Sequence, residues 1–326
     1  MAHTLLPPSL SDWFDAQGWA LHPHQIAMLE RANDVSTLLI APTGGGKTLA
    51  GFLPSLAELS QGAHAGLHTI YISPLKALAA DIRRNLLRPI EGAALGIRVE
   101  DRTGDTSATQ KRRQRVDPPH ILLTTPESLA LMISYEDAPR LFAGLRRVII
   151  DEAHALAEAK RGDQLMLALS RLESLAPGLR RVALSATVED PEGLAAYVAP
   201  HPLPCAILRA DPGPDPDIQM LETASAPPWS GGGAAYAIPE IIEQIQRHKT
   251  TLIFHNTRAR AEIFFHNIWL QNVDDLPIGI HHGSLDRAAR ERVEAALLAA
   301  VRTRDAYLTE LASHLIVAGG KRLRPV

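Results

Sequence analysis

Short apolar runs alternate with longer helix-forming segments along the first 200 residues of the chain. Five of these runs are predicted to be strands: Thr37–Ala41, His68–Ser73, Ile121–Thr124, Arg147–Ile150 and Arg181–Ser185. Helices are predicted to follow them, most clearly at Thr48–Leu59 and at the alanine-rich segment Lys76–Leu87. Buried strands that alternate with helices are typical of a parallel sheet covered on both faces. We therefore expect an α/β fold.

The pattern changes after residue 200. Seven prolines between residues 202 and 228 precede three consecutive glycines, which predicts a surface connector with a short strand at Cys205–Leu208. A second α/β unit follows, in which only two strands are predicted, at Thr251–His255 and Ile278–His281. The expected domains are residues 1–204, a linker at 205–236, a partial second unit at 237–300 and a helical tail at 301–326.

Composition narrows the class of protein. The 326 residues are 46% hydrophobic and 21% charged, with a formal net charge of −3, which is typical of a globular protein. No apolar run approaches the ~18 residues of a membrane span, and no signal peptide is predicted. The single cysteine, Cys205, cannot form an internal disulfide, so we expect a cytoplasmic location and no membrane partner. Because the net charge is slightly negative, any binding of nucleic acid must use local basic patches.

A glycine-rich turn, Ala-Pro-Thr-Gly-Gly-Gly-Lys-Thr, joins the first predicted strand to its helix. The backbone N–H groups of such a turn point at phosphates, and Lys47 adds a positive charge for the β- and γ-phosphate oxygens. In such a loop, the Thr48 hydroxyl is expected to be a ligand for Mg²⁺. The alternative is a plain glycine turn before a surface lysine. The predicted phosphate-loop residues are Ala41, Pro42, Thr43, Gly44, Gly45, Gly46, Lys47 and Thr48.

Two adjacent carboxylates, Asp151 and Glu152, follow the apolar strand at Arg147–Ile150. They would emerge at the same sheet edge as the glycine turn, since ligands of such sheets bind beyond the carboxyl ends of the strands. We predict that Asp151 serves Mg²⁺ and that Glu152 polarises the attacking water. The alternative is a pair of solvated acids at a helix N-terminus, stabilised by the helix dipole.

Other polar positions leave more alternatives open. The carboxamide of Gln25 could pair with adenine N6 and N7, or could belong to an ordinary exposed helix residue. Basic clusters at Arg83–Arg84, Lys111–Arg115 and Arg146–Arg147 could contact phosphates, although such clusters are more often solvated surfaces. Aromatic residues are 5% of the chain and are not interleaved with the clusters, so base stacking is not indicated.

Taken together, these residues resemble the superfamily 2 helicases of the DEAD/DEAH type, and among them the Lhr-like, ligase-associated DEXH-box DNA helicases. The resemblance covers about Leu5 to Ala300, and an alanine at position 41 is usual in this superfamily. It is carried by collinear motifs at Gln25, Ala41–Thr48, Ser73–Leu78, Thr103–Thr106, Thr124–Leu129, Asp151–His154, Ser185–Thr187, Phe254–Arg258 and His281–Leu285.

The resemblance implies a RecA-like ATP-binding domain, with ATP and Mg²⁺ as cofactors, followed by a partial second RecA-like lobe. It also implies coupling of ATP hydrolysis to movement on nucleic acid, with DNA favoured over RNA, in DNA repair and beside a DNA ligase. Contacts to the nucleic-acid backbone are implied for Pro74, Lys76, Gly104, Thr125 and Glu127. Coupling between the nucleotide site and lobe movement is implied for His154, Ser185 and Thr187.

The far end of the chain departs from the family. After Ala300 the late T-x-x-x-x-x-G-[IL]-D and Q-x-x-G-R-x-G-R motifs are not found. Such motifs supply arginine fingers, which are worth roughly 10³–10⁵ in rate in related enzymes, so slow hydrolysis is expected. The tail instead resembles the start of a trans-isoprenyl diphosphate synthase, where Lys321, Arg322 and Arg324 would grip a diphosphate. A junction between two genes within Glu291–Arg304 would explain this change.

Three other functions remain as alternatives. The chain could be a non-catalytic module that binds ATP and nucleic acid, or it could be an RNA helicase. The third is prenyl transfer, which conflicts with the absence of the D-D-x-x-D segments from the sequence. An ordinary amphipathic helix with a basic end is the alternative for the tail itself.

Overall fold

The computed structural model describes residues 5–42, 44–62, 64–74, 76–186, 188–212, 217–229, 234–248, 250–302 and 314–319. The chain divides into two compact units, Met1–Asp215 and Pro216–Val326.

The first unit is built on a seven-stranded sheet in which every neighbouring pair of strands is parallel. Its strands are β1 Ser36–Ile40, β2 Thr69–Ile72, β3 Val99–Arg102, β4 Ile121–Thr124, β5 Arg147–Ile150, β6 Arg180–Ser185 and β7 Ala206–Arg209. They lie in the order β3-β4-β2-β5-β6-β1-β7. The predicted α/β class with a parallel sheet is therefore confirmed.

In the described part of this unit, ten helices flank the sheet. They are α1 Pro8–Ala16, α2 Pro23–Glu30, α3 Lys47–Ser60, α4 Lys76–Gly92, α5 Ala108–Val116, α6 Pro126–Ile133, α7 Ala138–Phe142, α8 Ala153–Ala157, α9 Lys160–Leu175 and α10 Pro191–Val198.

Alternate residues of each central strand face opposite layers of helices. In β5, Ile149 packs into the cluster that includes residues of α1 to α4, whereas Val148 and Ile150 pack into the cluster that includes residues of α6 to α10. This is the side-chain alternation of a strand buried on both faces. It explains why these strands could be recognised as continuous apolar runs.

The first unit differs from the sequence prediction in one domain boundary and one strand. The short strand predicted inside the linker is β7, which pairs in parallel with β1, so the prediction that the first domain ends at residue 204 is wrong. Strand β3 was not predicted, because its centre is polar (Glu100 and Asp101) and it lies at the sheet edge, paired only with β4. An edge strand does not need apolar residues throughout.

A polar network ties the amino-terminal ends of β2, β5 and β6 to α3. The Arg147 guanidinium, 1% exposed, donates to Glu58 Oε1 (2.8 Å), Ser55 Oγ (3.0 Å) and Ala32 O (2.8 Å). Arg180 Nη1 donates to the same Glu58 oxygen (2.6 Å), and His68 Nε2 lies 3.2 Å from Glu58 Oε2. Burial opposes ionisation of Glu58, yet its close contacts with His68 and Arg147 hold its pKa well below the usual range.

The second unit holds a parallel three-stranded sheet in the order β8-β10-β9. Its elements are α11 Ile238–Arg247, β8 Thr250–His255, α12 Arg258–Leu270, β9 Ile278–His282, α13 Arg287–Arg302 and β10 His314–Gly319. The prediction of a helical tail is wrong at His314–Gly319, because this run pairs between β8 and β9 instead of continuing α13. Within the described ranges, no helix combines the length and the hydrophobicity that crossing a membrane requires.

Candidate functional site

The glycine-rich turn connects the carboxyl end of β1 to the first residue of α3. Gly44 and Gly46 have φ values of 83° and 73°, in the left-handed region that glycine adopts without strain. Gly46 is the N-cap of α3, and Gly45 N–H donates to Pro42 O (3.1 Å), which closes the turn. The free N–H groups of a helix N-terminus attract anions, so this turn can hold phosphates. Thr43 lies outside the described residues.

Gln25 braces the turn from α2. Its side chain is buried, its Oε1 accepts a hydrogen bond from His22 N–H (2.9 Å), and its Nε2 donates to Gly46 O (3.5 Å). The structure thus brings Gln25 against the phosphate loop, as its inclusion in the site requires. The contact with adenine stays a prediction.

Lys47 and Glu152 meet at the centre of the site. Lys47 Nζ lies 3.4 Å from Glu152 Oε1, although the two residues are 105 positions apart. The Lys47 side chain is 9% exposed and that of Glu152 is 33% exposed. Thr48 follows in the first turn of α3. The residues predicted from the two motifs therefore lie together at one edge of the sheet.

Glu152 is the N-cap of α8 and has a left-handed backbone, with φ 48° and ψ 46°. A residue with a side chain is strained in this region by about 1–3 kcal/mol. Strain of this kind is retained at functional sites, where the surrounding structure fixes it. Here it turns the chain sharply between Asp151 and α8, so that two consecutive carboxylates serve different partners.

Asp151 follows β5 and is anchored by its N–H, which donates to Ile72 O (2.9 Å) on β2. Its Oδ2 accepts a hydrogen bond from the hydroxyl of Tyr71, also on β2. Its Oδ1 is buried and has no hydrogen-bond partner among the described residues. Burial raises the pKa of Asp151, and the Glu152 charge adds to this, while Tyr71 and Lys47 oppose it. Burial, and next the Asp151 charge, raise the pKa of Tyr71, so that its hydroxyl keeps its proton and donates.

The oxygen donors at this edge fit a hydrated magnesium ion. Mg²⁺ prefers one or two carboxylate or hydroxyl ligands, together with phosphate oxygens and retained waters. Asp151 Oδ1 is a buried oxygen that has no described partner, and the Thr48 hydroxyl stands at the start of α3. These two residues are the ones that would hold the ion.

His154 and Ser185 link the carboxylates to β6. His154 Nδ1 lies 2.7 Å from Ser185 Oγ, and His154 Nε2 lies 3.5 Å from Glu152 Oε2. The two described members of the predicted coupling set therefore touch each other. Thr187, the third member, lies outside the described residues.

The residues expected to contact nucleic acid are only partly brought together. Arg161 connects two of them: its Nε donates to Glu127 Oε1 (2.5 Å) and its Nη1 to Pro74 O (3.0 Å). Although partial burial opposes it, this contact holds the pKa of Glu127 below its usual range. Thr125 is buried as the N-cap of α6.

Gly104 and Lys76 stand apart from this contact. Gly104 O accepts a hydrogen bond from Lys111 Nζ (3.2 Å). Lys76 begins α4, but its side chain lies outside the described part of the chain.

Much of the basic clusters is engaged within the protein. Arg113 donates to Glu100, and Arg115 Nη2 donates to Asp137 Oδ1 (2.8 Å) while its guanidinium lies 4.5 Å from the ring centroid of Tyr135. Arg147 is buried in the network around Glu58. These contacts favour a structural role for those arginines over phosphate binding.

Two residues of the site were not predicted from the sequence. Tyr71 lies inside a strand whose composition indicates only burial, and Arg161 lies in a helix that no motif connects with Pro74. Both contacts depend on which elements are neighbours in space. The only signal in the sequence was the motif position of Pro74 and of Asp151.

Similarity to known proteins supports this assembly of motifs. A family model described as DEAD/DEAH box helicase matches residues 22–194. The chain is 36% identical to the ATP-dependent helicase Lhr-Core of Methanothermobacter thermautotrophicus, over 90% of this chain and 37% of that protein. It is 35% identical to the Lhr helicase/uracil glycosylase of Escherichia coli K12, over 79% of this chain and 19% of that protein. The chain thus spans well under half of these relatives.

Solved structures show the same fold. The Mycobacterium smegmatis helicase Lhr bound to ssDNA and AMP-PNP superimposes with a TM-score of 0.76 and 30% identity, over 97% of this chain and 42% of that one. The DUF1998 helicase MrfA bound to DNA gives a TM-score of 0.77 at 19% identity, over 96% and 44%, and so supports the fold alone. None of these findings supports the resemblance of the tail to a trans-isoprenyl diphosphate synthase, and Lys321, Arg322 and Arg324 lie outside the described residues.

Proposed function

The chain belongs to the DEAD/DEAH box helicase family, and from that membership we propose that its first unit binds and hydrolyses ATP to drive movement on nucleic acid. The observation that supports this best is the meeting of Lys47 and Glu152 at 3.4 Å, beside the buried Asp151 carboxylate. One cation and two carboxylates at the end of a glycine-rich turn are the charges that phosphoryl transfer needs.

Each residue has a separate task in this proposal. The N–H groups at the start of α3 and the Lys47 ammonium bind the β- and γ-phosphate oxygens. Glu152 orients the attacking water and accepts its proton as the new oxygen–phosphorus bond forms and the γ-phosphate leaves ADP. Asp151 Oδ1 and the Thr48 hydroxyl would hold Mg²⁺. When bound, that ion neutralises charge on the phosphate oxygens.

We propose DNA rather than RNA as the nucleic acid. The support is the Mycobacterium smegmatis helicase Lhr, whose structure contains ssDNA and which is 30% identical over nearly the whole of this chain. Pro74, Thr125 and Glu127 remain the proposed contacts with the strand, together with Lys76 and Gly104. A role in DNA repair, a ligase partner and a cytoplasmic location are proposed on the resemblance alone.

A steady-state ATPase assay with and without single-stranded DNA tests the function. We expect Glu152→Gln to lower turnover by roughly 10²–10⁴-fold, the usual contribution of a positioned acid or base, while AMP-PNP still binds. Lys47→Ala should weaken AMP-PNP binding itself. Glu158→Gln, which makes the same chemical change at an exposed position six residues further on, is the matched control and should behave as wild type.

Three outcomes would contradict the proposal. Turnover that survives Glu152→Gln would remove Glu152 from the reaction, and AMP-PNP binding unaffected by Lys47→Ala would place the nucleotide elsewhere. Binding without any turnover in wild type would favour the non-catalytic alternative. The slow hydrolysis expected from the sequence stays a prediction, which the same assay measures.

A further inference from the structure

Tyr71 and Asp151 are side chains of neighbouring strands that point to the same face of the sheet. In the pairing of β2 with β5, Tyr71 lies opposite Ile149, and Asp151 is two residues beyond Ile149, where side chains return to the same face. The Tyr71 hydroxyl therefore reaches Asp151 Oδ2. Sheet register fixes this contact, and not the local sequence around either residue.

The Tyr71 ring is held firmly. It is fully buried and stacks on Phe52 of α3, with centroids 5.2 Å apart and an interplanar angle of 21°. Phe52 lies five residues after Lys47 in the helix that begins at the phosphate loop. The ring thus has little freedom to carry its hydroxyl away from Asp151.

A packing role accounts for the ring but not for the hydroxyl. A phenylalanine would supply the same stacking surface, whereas a buried hydroxyl is costly unless it makes a hydrogen bond. Here the partner is one oxygen of a carboxylate whose other oxygen, Oδ1, is buried without a partner among the described residues. A carboxylate with one oxygen fixed by a donor cannot rotate freely, so the direction of the other oxygen is also fixed.

We propose that Tyr71 is a positioning residue, which holds the Asp151 carboxylate so that Oδ1 faces the hydrated magnesium ion of the bound nucleotide. This inference rests on the proposed function, because it assigns the free oxygen to the magnesium–nucleotide complex. Tyr71 itself touches neither nucleotide nor metal in this arrangement. It acts by selecting one orientation of the residue that does.

The test measures how strongly magnesium strengthens AMP-PNP binding to the full chain. The affinity is determined by calorimetry with Mg²⁺ and again with EDTA, and the ratio of the two is compared among wild type, Tyr71→Phe, Asp151→Asn and the double variant. We expect Tyr71→Phe to reduce the ratio about tenfold, the scale of a hydrogen bond to a charged group. The affinity in EDTA should stay unchanged, and the double variant should match Asp151→Asn.

Tyr197→Phe is the matched control. It removes a hydroxyl that is also buried but has no hydrogen-bond partner among the described residues, on α10 and outside the phosphate loop. This variant should keep the wild-type ratio. Thermal unfolding without nucleotide, measured for every variant, separates a general loss of stability from a loss of magnesium coupling.

The outcomes separate this inference from the proposed function. No magnesium effect in wild type would overturn both. A wild-type effect that Tyr71→Phe leaves intact, even with a lowered melting temperature, would overturn the positioning role alone. Should Tyr71→Phe fail to fold, 3-fluorotyrosine placed at position 71 gives a second measurement. Its fluorine resonance should shift with AMP-PNP and Mg²⁺ but not with AMP-PNP in EDTA, and a resonance indifferent to magnesium would contradict the proposal.

Discussion

Replacing Gly46 by alanine should damage the phosphate loop more than the same change at Gly44. Both glycines have left-handed backbones, with φ 73° and 83°, so either alanine adds about 1–2 kcal/mol of backbone strain. Their surroundings differ. A Cβ at position 44 meets nothing within 4 Å, whereas one at position 46 would stand 2.8 Å from Gln25 Nε2. Gly44→Ala is therefore a built-in control for strain alone.

The extra cost at position 46 follows from how Gln25 is held. Ordinary contacts between heavy atoms are roughly 3.5–4.0 Å long, so the amide of Gln25 must retreat by about an ångström. Gln25 is 3% exposed, and its Oε1 accepts a hydrogen bond from His22 N–H at 2.9 Å. Losing that hydrogen bond costs about 1 kcal/mol, and residual overpacking adds about 1–3 kcal/mol. We therefore expect Gly46→Ala to destabilise the first unit by about 2–4 kcal/mol more than Gly44→Ala does.

Amide hydrogen exchange read by mass spectrometry is the suitable assay, since peptides from β1 and α3 report on the first unit separately from the second. Gln25→Ala in the Gly46→Ala background should recover the excess over Gly44→Ala, because it removes the side chain that clashes. Equal destabilisation by the two alanine variants would refute the reasoning. So would a double variant whose effects simply add.

Two further predictions concern ionisable side chains. Burial lowers the pKa of His68 from its ordinary value of 6.5, against the opposing influence of Glu58. Below about pH 6.5 the unfolded chain therefore binds a proton that the folded chain does not bind. The free energy of unfolding should fall as the pH drops through that value. Melting curves between pH 7.5 and 5.5 should show this fall reduced in His68→Gln, and an unchanged pH profile would count against a neutral buried ring. Arg161→Ala should weaken binding of single-stranded DNA severalfold at unchanged AMP-PNP affinity, because Glu127 and Pro74 O lose the guanidinium that holds them. The free energy of unfolding should change by less than about 1 kcal/mol, because the ion pair is exposed. Arg161→Lys should not restore DNA binding, since an ammonium cannot make the bidentate contact, and full restoration would show that charge alone suffices.

The central strands were predictable because they are buried on both faces. A strand such as β5 cannot hide polar residues on either side of the sheet, so Val148–Ile150 forms an uninterrupted apolar run. Strand β3 has one neighbour and a polar centre. The resemblance of the tail to a trans-isoprenyl diphosphate synthase predicts a helix where the structure has β10, whose partner strands are distant in sequence. Strand pairing decides both cases, and a local sequence pattern does not show which strands pair.

The same distinction divides the site. Lys47, Asp151 and Glu152 were predictable because the turn and the acidic pair are local motifs placed after strands. Tyr71 was not, since its role depends on the order β2-β5 in the sheet and on a contact across 80 residues of sequence. A tyrosine within an apolar strand indicates burial and no more until its neighbour is known.

The contacts of Glu152 connect the glycine-rich turn to His154 and Ser185. Lys47 has a single ammonium to share between Glu152 Oε1 and the oxygens of a triphosphate, and at 3.4 Å its contact with the carboxylate is long for a charge-assisted hydrogen bond. A phosphate that attracts Lys47 would therefore free Glu152 Oε1 to accept a hydrogen bond from the water that the proposed function assigns to it. Glu152 Oε2 also lies 3.5 Å from His154 Nε2, whose other ring nitrogen touches Ser185 on β6. Because the left-handed backbone at Glu152 is a higher-energy conformation for a residue with a side chain, a change in its carboxylate contacts acts on a turn that the surrounding structure holds in place. Under the proposed function, the contacts of Glu152 with Lys47 and His154 are thus the ones through which the state of the phosphate would reach Ser185.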